Sequence, residues 1–215
     1  GLLYPYYYSQ MAYDGFKSIG RDDIITLTRC AYLGSQKFGS LVWSGDIEST
    51  FESLACQVKA GLNMSMCGIP WWNTDIGGFY GADITSDYFK ELIVRWFQYG
   101  LFSPVMRLHG SRNRHFEPTP GLKEPSGDPN EIWSFGEKNF EILKNLIFIR
   151  EKLKPYIITQ MDIASEQGYP VMRPMFFEYP DDETCYALDS QYMFGDDIIF
   201  APIVEQGQTK KSVYI

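Results

Sequence analysis

Runs of positive charge are missing from this 215-residue chain, in which no five consecutive residues are basic. Nineteen basic residues stand against 27 acidic ones, a net charge of −8. That balance argues against a nucleic acid partner, which is held chiefly through phosphate contacts. It argues equally against an anionic membrane surface. Long apolar runs are missing too, and none approaches the ~18 residues of a membrane-spanning helix. No charged-then-apolar leader pattern opens the chain. Histidine is scarce, with only His109 and His115, and the four cysteines (Cys30, Cys56, Cys67 and Cys185) are too far apart to form a CxxC pair. A transition-metal site is therefore not expected, and no cofactor is implied. Four free, mostly buried thiols in a reducing compartment are expected, which leans towards the cytoplasm.

Aromatic residues are plentiful: 15 Tyr, 15 Phe and 5 Trp, 16% of the chain. They suit a thick core, and they suit pockets that stack on flat ligands such as sugar rings. Along the first half, short apolar runs alternate with helical patterns. Tyr4 to Lys17 reads as a loop running into a helix. Ile24 to Leu27 and Phe38 to Trp43 read as strands. Ser49 and Glu52 have capping-box spacing for a helix whose face is Phe51, Leu54, Ala55 and Val58, with Gly61 as its stop. Met64 to Trp72 is a third strand candidate. A second helix begins near Ser86, with Phe89, Leu92, Ile93, Trp96 and Phe97 on one face and Gly100 at its end. Val105-Met106 opens a fourth strand candidate.

This alternation predicts βα units and a parallel sheet. In such sheets, ligands bind beyond the carboxyl ends of the strands. Arg29, Asp46, Asp75 and His109 all fall there. A long loop, Gly110 to Trp133, precedes a long helix from about Glu137 to Gln167, with Pro155 as a kink. After Gly168 the texture turns to β-structure. A full (β/α)8 barrel takes about 250 residues and eight strands. The expectation is therefore an α/β chain: the C-terminal half of a (β/α)8 TIM barrel over residues 1–168, then the start of a β-domain over 169–215.

Five blocks in order carry a more specific message. Arg29 to Asp46, containing Trp43-Ser-Gly-Asp46, resembles the acid/base segment of glycoside hydrolase family 31, the family of α-glucosidases and α-xylosidases. Trp72-Asn-Thr-Asp75-Ile-Gly-Gly-Phe79 and Arg107-Leu-His109-Gly110 resemble two further blocks of that family. Met172 to Asp182 and Gly195 to Pro202 resemble its junction into the C-terminal β-sandwich. The resemblance implies Asp46 as the catalytic acid/base. It implies Arg29, Trp43, Asp75, Phe79, Arg107 and His109 as sugar-binding residues, and Trp72 as a pocket wall; strand alternation then assigns the neighbouring Trp71 to the core. The family's nucleophile, an Asp in a Trp-x-Asp-Met-Asn-Glu type motif, has no counterpart here. By family order it belongs upstream of Gly1, so the isolated chain is expected to be inactive.

Retaining glycoside hydrolysis needs two carboxyl groups about 5–5.5 Å apart, one attacking carbon and one moving protons. Asp75 and His109 have hydrogen-bonding atoms for sugar hydroxyls, Arg29 and Arg107 offer guanidinium forks, and the aromatic rings offer stacking faces. Each residue also has a purely structural role open to it. Asp46 follows a glycine, as turn residues do; Asp75 suits a helix cap. His109 and the aromatics suit a core, and the arginines suit acidic partners. The expected partners are an α-glucoside, α-xyloside or oligosaccharide, together with the remainder of a longer polypeptide. Self-association is expected of a half-barrel with open strand edges. The rival reading is a non-catalytic carbohydrate-binding or scaffold protein on a degenerate barrel.

Overall fold

The computed structural model describes residues 1–112, 114–118 and 125–215. Helix α1, Tyr4–Ser18, occupies the stretch expected to begin as a loop, because Pro5 stands in its first turn, where a missing N–H costs nothing. It docks through Tyr6 and Tyr13 onto Phe38, with ring centres 5.1 and 5.8 Å apart. Strands β1 (Thr26–Thr28), β2 (Ser40–Trp43) and β3 (Trp72–Asn73) form a parallel sheet in that order. Thr28 pairs with Val42, and Val42 with Trp72, so these positions share register. The fourth run contributes a parallel bridge, Leu108 to Ile76, rather than a full strand.

Helix α2, Phe51–Met66, is capped by Thr50, whose hydroxyl accepts from the Ser53 N–H. The expected Ser49 cap is displaced by one residue. Nor does Gly61 stop the helix: α2 continues to Met66, and Gly61 instead provides clearance. A Cβ there would lie 2.7 Å from Trp72 Nε1 and 2.9 Å from Tyr99 Oη. Helix α3, Asp87–Leu101, is capped by Ser86 and buries Phe89, Leu92, Ile93, Trp96 and Phe97, the face expected of it. The backs of the strands pack on α2 and α3, where Trp96 Nε1 donates to Thr74 Oγ1 at 2.8 Å.

Beyond α3 the chain forms an antiparallel pair, β4 (Arg114–Pro118) with β5 (Pro125–Gly127). Part of the expected Gly110–Trp133 loop, and the side chain of His115, lie outside the described residues. Helix α4, Glu137–Gln167, carries Pro155 within it and ends at Gly168. Arg150 of α4 donates to the carbonyls of Leu101, Ser103 and Pro104 at 2.6–2.8 Å, at the carboxyl end of α3. A cation there meets the negative end of the helix dipole.

Strands β6 (Met172–Pro174), β7 (Tyr192–Phe194) and β8 (Ile198–Phe200) make an antiparallel sheet. A short helix, α5 (Met175–Glu178), follows β6, and residues 201–215 add no strand. Buried Arg173 ties β6 to α4 and the β7–β8 turn, donating to Gln160, Glu178 and Asp196 at 2.6–3.1 Å. The cysteines are all free, but only Cys185 is buried. Cys56 lies in α2 on a turn that leaves it exposed, and Cys30 and Cys67 lie at element ends, so the expected burial does not hold. Among the described residues, no helix is long and apolar enough to cross a membrane.

Candidate active site

The chemistry-bearing residues gather at the carboxyl edge of the parallel sheet. Arg29 follows β1, Trp43 closes β2, Asp46 follows it, and Asp75 comes two residues after β3. Arg107 and His109 flank Leu108, which the bridge to Ile76 sets beside the Asp75 segment. A tight turn, with the Gly78 N–H donating to the Asp75 carbonyl at 2.9 Å, brings the chain from Asp75 round to Phe79.

Asp75 is fully buried and makes a short ion pair with Arg107. Burial pushes its carboxyl above the usual carboxylate range, against the opposing charges of Arg107 and His109, and nearby Asp46 adds to the rise. Asp46 is different: its side chain is 44% exposed, and Arg29 Nη1 reaches its Oδ2 at 3.8 Å, a loose surface pair. Trp43 is half-buried, and the Arg107 guanidinium lies 6.0 Å from its ring centre. Phe79 and His109 stand with ring centres 5.7 Å apart. His109 is exposed, so it is not part of the core.

Trp72 is not brought to this group. It is 4% exposed and belongs to the core with α2 and α3, while Trp71 is only half-buried. The alternation is therefore the reverse of the one expected: Trp72 shares register with Val42 and faces the helices, whereas Asn73 and Asp75 share the other face. Fully buried Asn73 is thus a neighbour that counting back two residues from Asp75 would have found.

Arg112, three residues beyond His109, is 1% exposed, and burial pushes its guanidinium down to about 10. No local pattern marks it in the sequence; its partners lie 18 to 36 residues away. Among the described residues, no group of three or more His, Cys, Asp or Glu is placed to hold a metal ion.

A buried carboxylate locked to a guanidinium, a second carboxylate left accessible, and an aromatic ring beside an imidazole thus lie together at the carboxyl edge of the parallel sheet, the edge at which α/β barrels bind ligands. Comparison with known proteins gives the family. Residues 2–160 match the glycosyl hydrolases family 31 TIM-barrel domain, and residues 168–215 match the glycosyl hydrolase family 31 C-terminal domain. The chain belongs to glycoside hydrolase family 31. An α-xylosidase of Saccharolobus solfataricus is 34% identical over 212 residues, covering 99% of this chain and 27% of that protein. The crystal structure of a family 31 α-xylosidase from a soil metagenome, complexed with xylose, superposes with a TM-score of 0.91 at 49% identity, covering 96% of this chain and 31% of that one. A Flavobacterium johnsoniae dextranase complexed with glucose gives a TM-score of 0.87 at 32% identity, covering 99% of this chain and 25% of that one. The chain thus spans less than a third of the length of these proteins.

Proposed function

We propose that this chain is the acid/base-bearing part of a retaining α-glycosidase acting on terminal α-glucosides or α-xylosides. The observation that carries the reading is the convergence of Arg29, Trp43, Asp46, Asp75, Phe79, Arg107 and His109 on one sheet edge in a family 31 chain. Asp46 donates its proton to the leaving oxygen as the glycosidic C–O bond breaks. A carboxylate from outside this chain forms the glycosyl ester on the opposite face. Asp46 then takes a proton from water, the water oxygen bonds to the anomeric carbon, and the ester C–O bond breaks. Buried Asp75 locks Arg107 in place from behind the sheet edge, and Arg107, His109 and Arg29 offer the polar contacts to sugar hydroxyls. Trp43 and Phe79 offer faces to the sugar ring. The pocket wall assigned by resemblance to Trp72 is not part of this proposal, because that ring is in the core.

The test is made on the full-length polypeptide with a series of α-glycosides of graded leaving group. Asp46→Ala is expected to lower kcat/KM by about a thousandfold for poor leaving groups and far less for fluoride, which needs little proton assistance. Equal loss across the series would contradict the assignment. This chain alone is expected to give no more than trace hydrolysis of an activated aryl α-glycoside.

A further inference from the structure

Arg112 is a buried arginine whose side chain and main chain both hold the segment that carries Phe79. Its Nη2 donates to the Ile76 carbonyl and to Asn130 Oδ1, both at 2.8 Å, and its Nη1 makes a short contact with the Gly78 carbonyl. The guanidinium carbon lies 5.1 Å from the centre of the Phe89 ring in α3. The backbone of the same residue holds the next stretch: its N–H donates to the Phe79 carbonyl at 2.7 Å, and its carbonyl accepts from the Gly81 N–H at 3.0 Å. Side chain and main chain together therefore fix the whole path from Ile76 to Gly81.

Two further features show that this arrangement is built around the guanidinium. Arg112 has a φ of 60°, a left-handed backbone conformation that costs a non-glycine residue about 1 kcal/mol or more. Next to His109, Gly110 leaves room for the charge: a Cβ there would stand 2.4 Å from Arg112 Nη1. Lysine replaces such a planar fork only in part, because it keeps the charge but does not span two carbonyls and an amide.

We propose that Arg112 is a positioning residue that holds Phe79 and His109 opposite each other as one wall of the sugar pocket, and so sets the affinity for the sugar ring. This rests on the reading of the pocket given above. The residue reaches the sugar only through the segments it holds.

The test uses the full-length polypeptide and the variants Arg112→Met, Arg112→Lys and Asn130→Ala. Three quantities are read: direct binding of xylose and glucose by calorimetry, KM and kcat on 4-nitrophenyl α-xyloside and α-glucoside, and Tm. Arg112→Met is expected to weaken monosaccharide binding and raise KM by about tenfold or more, as loss of charge-assisted hydrogen bonds implies. Its kcat/KM falls by up to about a hundredfold if the wall shifts by an ångström. Arg112→Lys recovers part of the binding, and Asn130→Ala weakens binding by about threefold. A purely structural role would lower Tm and the folded fraction but leave Kd and KM of the folded molecules unchanged, and that result overturns the inference. If Arg112→Met does not fold, unchanged Kd in both Arg112→Lys and Asn130→Ala overturns it. A wild-type protein that binds neither sugar overturns the pocket reading itself. That outcome is distinct from a wild type and variants that bind equally well.

Discussion

Asp75 and Asp46 place two carboxyl groups at the sheet edge in opposite environments. Asp75 is buried and held by Arg107, and its carboxyl is raised by desolvation. A carboxyl that holds its proton more tightly when folded contributes stability that is present below its unfolded value of about 4 and is lost as pH rises through the folded value. Asparagine does not titrate. Thermal melts of wild type and Asp75→Asn, run from about pH 4 to about pH 8, should show the wild type's advantage shrinking as pH rises. A gap that widens with pH would mean that the Arg107 pair, rather than burial, sets the carboxyl's behaviour. At this scale Arg29, Asp46 and Asp75 were legible because each stands shortly after a strand, and Arg107 and His109 because they flank a parallel bridge at Leu108. Trp72 was misplaced because a pair of adjacent tryptophans does not say which ring faces the helices; pairing of Val42 with Trp72 decides that. Arg112 was invisible because its role comes from carbonyls distant in sequence.

Helices α2 and α3 set the sheet edge from behind, and Gly61 is where the fit is tightest. Helix propensity alone would make Gly61→Ala stabilising by up to about 1 kcal/mol. The contacts with Trp72 and Tyr99 leave no room for the methyl, so the substitution should destabilise by about 1–3 kcal/mol in urea unfolding. A gain in stability would show that Trp72 moves freely. The expected stop at Gly61 failed for the same reason: the glycine is there for the approach of a strand, which local pattern does not reveal. The bounds of α4 and the buried face of α3 were legible, since long 3.6-residue periodicity and caps are strong local signals. The fourth strand was not, because its segment contributes a bridge at Leu108 rather than a ladder.

One apolar cluster runs from Val42 and Trp96 to Met172, Tyr192 and Phe194, so the barrel part and the following sheet share a core. The opposite side is open. Tyr4, Tyr7, Met11 and Phe16 on α1, and Ile25 and Leu27 at β1, the outer strand of the sheet, are exposed large side chains. Sedimentation of this chain by itself should therefore give species heavier than the 24.8 kDa monomer. A stable monomer would contradict that expectation. The half-barrel was legible in the order of strands, helices and strand-end residues; the shared core was not, since it joins parts far apart in the chain. The most direct test of the account is azide trapping with Asp46→Ala in the full-length polypeptide. If Asp46 is the acid/base, its removal leaves azide to attack the glycosyl ester, forming a C–N bond as the ester C–O bond breaks. A retaining mechanism with Asp46 as acid/base yields a glycosyl azide of the same α configuration as the substrate, with turnover restored in proportion to azide. A β-glycosyl azide, or no response to azide while an aryl α-glycoside is still bound, would contradict it.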